Sequence, residues 1–565
     1  MAFRVSRASA LGASGLIAAA LLSTPAAGQV LPSREEMNPV RTAPLPAAPR
    51  GELFRQMEAG PCGFADSPLK VTLTSVQFRG ANTAKLALPG EELALAYADL
   101  LNRELPIRTV CEIRDRAAAL YLREGVLASL NIPEQRISGG KLILEVTEAR
   151  IASVSYTGNA GPAQRQVARY LDKLKGMTPL DLDIAQRYLL LASDVPGVRV
   201  QATLKPTAEG KGSVDLAIAV ERSPVTSVFS ANDYGSETIG RPLGTARVDY
   251  NSFTGLGERT SIVGYGTLDS DEQRVIQVVE RINIGGEGAA FEVSGAFART
   301  KPGGTLKPLA LLGKSFAGNA RLSYPLLRHR RYNLTASGGL EWIDQKVEFG
   351  GGIATLTEDK LRIFYARLDA HWAPREFASH SLAVTGSLEL RKGIDGLGAS
   401  PYGSFTASRF LGRPDATVLR ADMAIGGVIG GPLVGTISTS WQGTDVPLLS
   451  YEEFSVGNLS VGRGYDPSFA SGDRALTSSI ELTTIPIPLG KRAAFRPYGF
   501  FEGVRLTNTG PGADQVTLRS AGLGARAQLG PLAIDAAWAR PLDRLAPNLP
   551  KPPQRFLLSV SASVF

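Results

Sequence analysis

The stretch "VGRGYDPSFASGDRAL", residues 461–476, gathers the side chains best placed to do chemistry. Arg463 sits between Gly462 and Gly464, Tyr465 follows, and Gly472-Asp473 comes eight residues further on. A guanidinium is a rigid fork that grips a carboxylate or phosphate through two parallel hydrogen bonds, and flanking glycines let the backbone turn tightly around it. A phosphate cradle would need a helix to begin directly afterwards, so that its N-terminal N–H groups face the anion. Here "LTSSIELTTIPI" follows, which reads as a strand. The cradle reading fails, leaving an exposed turn or a loop that works within a larger architecture.

Little else in the chain is suited to catalysis. The three histidines, His329, His371 and His380, stand apart from each other in sequence and have no nucleophile context. There is no G-x-S-x-G and no G-x-x-x-x-G-K-[ST], so neither a hydrolase elbow nor a nucleotide-binding loop is expected. No enzyme activity and no cofactor is expected. The net charge is +8, but lysines and arginines are interspersed with acids and form no cluster alternating with aromatics. Nucleic acid is therefore not an expected partner.

The elements that must position Arg463 begin with a leader. Residues 1–28 carry Arg4 and Arg7, an apolar stretch to Leu22, and small residues at Ala26 and Gly28. That pattern predicts a secretory signal peptide cleaved after Gly28. No later uncharged apolar run approaches the roughly 20 residues of a membrane helix. Cys62 and Cys111 are the only two cysteines, and in an exported chain an even count suggests one disulfide. A metal pair has no support, since no histidine lies near either cysteine. Residues 29–67 form a Pro-rich linker, with a short helix expected at "GELFRQMEAG".

Residues 68–148 then read β-α-α-β-β. "LKVTLTSVQFRGA" alternates as a strand, "EELALAYADLLNREL" and "VCEIRDRAAALYLREG" read as helices, and "LASLNIPEQRI" and "KLILEVTEA" as strands around Gly139-Gly140. Residues 149–222 repeat the order, which makes a tandem of two units. From residue 223 to 565 helical periodicity gives way to period-two alternation. Phe364, Ala366, Leu368, Ala370 and Trp372 share one face, for example, and Tyr365, Arg367, Asp369 and His371 the other. A soluble sandwich alternates too, but rarely needs strands of ten or more residues, whereas a tilted bilayer-crossing strand needs about 9–11. At about 20 residues per strand and connection, the segment holds about 16–17 strands, and an even number selects 16. The fold class expected is α+β units followed by an all-β transmembrane barrel.

Two such units before a barrel is the layout of POTRA domains on an outer-membrane translocon. "YLREGVLASLNIPEQRISGGKLILEVTEARI", "LDLDIAQRYLLLASDVPGVRV", "ANDYGSETIG" and "TGLGER" together resemble the ShlB/FhaC/HecB hemolysin-activation family, the TpsB transporters of two-partner secretion. The resemblance implies that residues 461–476 tip a long loop folded into the barrel. In the family that tip reads V-R-G-Y or V-R-G-F. Here Arg463, Gly464 and Tyr465 match and Gly462 departs, while Gly472 and Asp473 match the following Gly-Asp. The family's loop Arg pairs with the acid of an F-x-D motif, matched here by Phe500 and Glu502 with Glu in place of Asp. The family's Cys pair corresponds to Cys62 and Cys111. Where many relatives have a plug helix of about 20 residues, "LPSREEMNP" offers two turns at most, so the plug should be short or missing. Phe565 shares the parity of Ser559, Ser561 and Ser563, so either the end is atypical for such a barrel or a bulge resets the parity.

The function implied is export of an unfolded, hemolysin- or adhesin-like exoprotein. The client would add a strand to the free edges of the POTRA sheets, and the barrel, set in outer-membrane lipid and lipopolysaccharide, would conduct it. The alternative is a BamA- or TamA-like factor inserting membrane proteins. Two POTRA units rather than three or more favour secretion.

Overall fold

The computed structural model describes residues 30–38, 62–81, 85–207, 212–373, 382–490, 492–511 and 513–564. The leader, the "GELFRQMEAG" helix, His380 and Phe565 lie outside the described residues. No helix among the described residues is long and apolar enough to cross a membrane.

In the first unit, strand Lys141–Glu148 lies between Ser75–Gly80, which it parallels, and Ala128–Asn131, which it opposes. Helix Thr109–Arg123 buries Val110, Ile113, Ala117 and Tyr121, spaced three and four apart as one helical face requires. This face packs on Val76, Leu142, Leu144 and Val146. Cys62 and Cys111 are bonded, tying the segment before the sheet to the start of this helix.

Two sequence expectations are corrected here. "EELALAYADLLNREL" is helical only over Gly90–Ala94, with one 3-10 turn at Ala98–Leu100. Asn102 then turns left-handed, at φ 57°, and donates its N–H to Leu73. Glu104–Pro106 leaves the helical path and pairs with Lys70–Thr72, so the first predicted strand is split as well. "LASLNIPEQRI" pairs only over Ala128–Asn131. Pro133 has no N–H to offer a ladder. The Gln135 side chain takes over, donating to Ile143 O at 2.7 Å and accepting from Ile143 N at 2.8 Å. The "IPEQ" motif thus replaces a strand partner with a side-chain amide.

The second unit repeats the arrangement with Ser213–Arg222 central, parallel to Arg150–Gly158 and antiparallel to Val198–Pro206. Its helices are Gln164–Leu171 and Leu182–Ser193, the latter capped by Asp181, which accepts from Asp183 N and Ile184 N.

The remaining strands close into a barrel of 16. Strand Val225–Asn232 pairs with Leu243–Asn251 on one side and with the last strand, Arg555–Val564, on the other. Strand Arg474–Thr484 is interrupted near Pro486 and continues as Ile487–Gly490, both pieces pairing with Ala493–Thr507, so they count as one. The polarity is inverted relative to a soluble protein. On strand Leu382–Gly393, Leu388 and Leu390 are 48% and 50% exposed while Glu389 and Arg391 between and beyond them are buried. Apolar residues outside and charges inside is the pattern of a lipid-embedded barrel. The last strand conforms: Phe556, Leu558 and Val564 point outward and are exposed.

The second unit is fastened to the near end of the barrel. Arg222 donates to Asn251 O (3.1 Å) and Ser252 O (3.0 Å), and its guanidinium lies 5.2 Å from the Phe253 ring centroid. Gly197, the glycine of "DVPGVRV", has φ +72°, and a Cβ there would come within 2.5 Å of Asn251 Cβ. Glu287, on the turn after strand Gln273–Ile284, receives Lys173 Nζ (2.7 Å) and the Tyr188 hydroxyl (3.2 Å). Arg328 pairs with Asp194 at 2.7 Å.

Two expected outcomes follow. Non-reducing electrophoresis of envelope protein should show a faster-migrating, cross-linked form that Cys62→Ser abolishes. Releasing this loop of 49 residues' separation should cost the first unit about 4 kcal/mol by chain entropy. Second, the Lys173 ammonium beside Glu287 holds its carboxyl below the ordinary carboxylate range. A depressed folded-state value means the contact's contribution is full at neutral pH and is lost as pH falls through that value. The protection factor of the 285–288 amides, corrected for the slower intrinsic exchange in acid, should fall on acidification below about pH 4, and Glu287→Gln should show the lowered protection already at pH 7.

Candidate functional site: the loop clamped inside the barrel

Residues 444–473 connect strand Leu433–Gly443 to strand Arg474–Thr484 and run along the inward, charged face of the wall. The loop carries its own two-stranded ladder, Phe454–Val456 with Ala470–Gly472. At its tip the structure brings together the residues named from the sequence. Arg463 Nε lies 2.7 Å from Glu502 Oε1, and its Nη1 lies 2.9 Å from Glu481 Oε2. The guanidinium stacks 3.7 Å from the Phe500 ring centroid. Glu502 Oε2 accepts from Gly462 N (3.0 Å), Arg463 N (2.7 Å) and Ser520 Oγ (3.0 Å).

The two departures from the family pattern are thereby explained together. Gly462 has φ +105°, a conformation that favours glycine. That turn aims the N–H groups of residues 462 and 463 at one carboxylate oxygen, leaving the other for the guanidinium. Gly464 is needed for closeness: a Cβ there would stand 2.7 Å from Pro541 N and 2.9 Å from Arg540 C. Tyr465 is 1% exposed and donates its hydroxyl to Arg519 O at 2.8 Å. Asp473 is fully buried and accepts from Leu448 N (2.7 Å), Thr509 N (2.8 Å) and Arg409 Nη2 (3.3 Å), pinning the loop's return. Gly472 lies against Leu506, whose Cβ would be 3.1 Å from an added methyl.

Sequence reasoning missed several members. Glu481 is shared between Arg463 and Arg526 (2.6 Å), and Arg526 reaches Asp535 at 3.0 Å. Asp466 pairs with Arg555 (2.9 Å) and Arg241 (3.3 Å), and Arg555 also donates to Tyr465 O at 2.9 Å. A second clamp holds the loop's root: Arg391, 2% exposed, pairs with Glu452 (2.8 Å), Glu341 (2.6 Å) and Glu389 (3.0 Å). The sequence shows these charges but not their partners.

The lumen also holds residues 30–38. The plug is one helical turn, Arg34–Met37, closed by a capping box between Ser33 and Glu36. Met37 is 1% exposed and packs with Ile343, Leu361, Leu449 and Tyr451, two wall residues and two loop residues. Gln273 donates to Glu36 Oε1 at 3.1 Å and Gln277 to Asn38 Oδ1 at 3.2 Å. The S-x-x-E spacing of the capping box was the available sequence signal. Among the described residues, no group of three His, Cys, Asp or Glu side chains is placed to hold a metal.

The clamp makes a counter-intuitive prediction. Gly462→Val, which restores the family's apolar residue, should release the tip, because valine is strained at this φ and its Cβ meets Val456 at 3.2 Å. Glu502→Ala removes the acceptor of two loop N–H groups and one of the two carboxylates on the part-buried Arg463 guanidinium, and should destabilise the docked loop by about 3–5 kcal/mol. Limited proteolysis of folded barrel should cut within 444–473 in both variants and not in the wild type.

Comparison with known proteins places this architecture. The model for "Haemolysin secretion/activation protein ShlB/FhaC/HecB" matches residues 210–527, and the model for "POTRA domain, ShlB-type" matches residues 71–149. No curated protein matches the sequence significantly. Among solved structures, CdiB from Escherichia coli aligns over 100% of both chains at 18% identity with TM-score 0.71. CdiB from Acinetobacter baumannii aligns over 98% of this chain and 97% of its own at 17% identity, TM-score 0.61. BamA from Haemophilus ducreyi lacking POTRA domains 1–3 covers 88% of this chain and 100% of its own at 12% identity, TM-score 0.51. The barrel sits in the outer membrane with its POTRA units in the periplasm, and it transports rather than catalyses. The chain belongs to the haemolysin secretion/activation protein family ShlB/FhaC/HecB.

Proposed function

We propose that this transporter exports one unfolded exoprotein across the outer membrane by two-partner secretion. The observation that carries the reading is the in-folded loop, whose tip is fixed by Arg463 and Glu502 inside a barrel fastened to two POTRA units. A fixed loop leaves the rest of the lumen as a path with defined walls. The client first meets the POTRA sheets. Arg150–Gly158 and Val198–Pro206 each pair on one side only, among the described residues, with Ser213–Arg222. Their outer edges present backbone groups to which an extended segment can add as a strand, with affinity tolerant of sequence. The disulfide keeps the first unit rigid, and folding of the client outside supplies the drive.

Among the described residues, the short N-terminal plug is held to the wall by two side-chain hydrogen bonds and the Met37 side chain. The tip is held by a buried, multiply bonded ion pair. Opening the lumen by withdrawing residues 30–38 therefore costs less than undocking the loop. Assembly of other outer-membrane proteins is the second reading, prompted by the likeness to BamA.

Arg463→Ala should reduce secretion of the client about tenfold or more, since a buried ion pair is removed, while heat-modifiable mobility shows the barrel still inserted. Unchanged secretion would refute a functional role for the loop. Deletion of the gene should remove one protein from the culture medium and spare the outer-membrane protein profile. A general loss of outer-membrane proteins would instead support the assembly reading.

A further inference from the structure

Four adjacent strands carry a row of cations on their outward faces. Arg274 opposes Arg299, Arg299 opposes Lys314, and Lys314 opposes Lys346, each in direct register. The neighbouring positions of opposite parity, Val275, Ala298, Ser315 and Gln345, are all buried, so the cations face away from the lumen. One pleat closer to the membrane centre, Ile276, Phe297 and Phe316 form a second row in the same register. Ile276 and Phe297 are 52% and 60% exposed, and the two phenyl rings lie 4.8 Å apart. Cations therefore stand at the upper rim of the apolar belt. The rim is that of the outer leaflet: strand Gln273–Ile284 runs from Arg274 down to the turn whose Glu287 binds the second POTRA unit on the periplasmic side.

Such a row is unfavourable by itself. Strands lie about 4.8 Å apart, and like charges directly opposite one another destabilise a sheet. The compensation within the protein is partial. Glu348 is shared by Lys314 (2.8 Å) and Lys346 (2.9 Å). Arg274 is turned to the carbonyls of Ser270 (2.6 Å) and Gln273 (3.1 Å), and Arg299 has no ion pair among the described residues. At the fringe, Lys301 pairs with Asp271 and Lys360 with Glu358. What remains is a strip of four cations with Glu348 shared inside it and Glu358 opposite Lys346 at one end, above an apolar row that runs from Ile276 to Phe316 and ends at Asp344, which pairs with Arg362.

We propose that this strip binds the phosphorylated headgroup of an outer-leaflet glycolipid, with an acyl chain against Ile276, Phe297 and Phe316. Phosphate oxygens accept from the Arg299 guanidinium and the Lys314 and Lys346 ammonium groups, and the two-row arrangement matches a ligand with anionic head and apolar tail. Occupation offsets the repulsion along the row and anchors this sector of the barrel in the leaflet.

Native mass spectrometry of the full-length protein in nonionic detergent tests the assignment. The probes are diphosphorylated lipid A, the same lipid A with both phosphates removed, and inorganic phosphate. Wild-type protein should retain diphosphorylated lipid A at least about tenfold better than the dephosphorylated form, as expected for two or more charge-assisted contacts, and an equal concentration of inorganic phosphate should not displace it. Arg299→Gln/Lys314→Gln should weaken retention by a similar factor. Lys346→Gln, which leaves the Lys314–Glu348 pair, serves as a milder variant should the double one fold poorly by heat-modifiable mobility. Arg505→Gln, an exposed outward cation elsewhere on the barrel, should leave retention unchanged. Equal retention by the Arg299/Lys314 and Lys346 variants, equal retention of dephosphorylated lipid, or displacement by inorganic phosphate would each overturn the proposal.

Discussion

The Glu502 carboxylate is the point on which the interior of this barrel depends. It is 4% exposed, on the inward face of a strand whose alternate residues meet lipid. A buried carboxylate is tolerable only when its lone pairs are filled. Two backbone N–H groups, one guanidinium nitrogen and one hydroxyl fill them, and three of these four donors belong to the loop. Loop docking and wall stability are therefore the same requirement. A barrel of this strand number encloses more space than its own side chains can fill. The wall charges need partners in that space, and the loop supplies them.

The Gly462 and Glu502 departures are best understood as one change. A carboxylate on a longer side chain reaches past the guanidinium to the loop backbone, and reaching it is useful only if two successive N–H groups converge there. A residue at φ +105° makes them converge. Each departure serves the other: Gly462 adopts the φ that a side chain strains, and Glu502 receives both loop N–H groups and the guanidinium. The root of the loop follows the same logic with the signs reversed. Arg391 is the buried wall charge there, and Glu452 of the loop is one of three carboxylates around it.

What the sequence made legible was local or periodic. Alternation over residues 223–565 identified strands, their inverted polarity and their number, because each bilayer-crossing strand repeats one physical demand. The helix Thr109–Arg123 was legible for the same reason. The failures are places where a distant partner decided. Nothing near "EELALAYADLLNREL" announces that Glu104–Pro106 will pair with Lys70–Thr72, or that Asn102 will bond to Leu73. Gln135 reads as an exposed polar residue until Ile143, eight residues on, is placed beside it. Glu481, Arg526, Asp466 and Arg555 were visible only as charged residues without partners, since the ion pairs join residues up to 225 positions apart in sequence. The tip itself was legible by resemblance, and its two irregular residues made sense only in three dimensions.

The junction between the second POTRA unit and the barrel is a rigid link. Three successive turns at the near end of the barrel each receive a charged or backbone contact from the second unit: Asn251–Ser252 from Arg222, Glu287 from Lys173, and Arg328 toward Asp194. Contacts on turns of different hairpins fix rotation as well as distance, which a single contact cannot do. Gly197 presses the turn before strand Val198–Pro206 directly against Asn251. Among the described residues that strand is also an edge of the POTRA sheet, so the sheet edge is held at a set angle to the barrel mouth. The same geometry sets a limit on motion: swinging the POTRA unit would break several partly buried polar contacts at once.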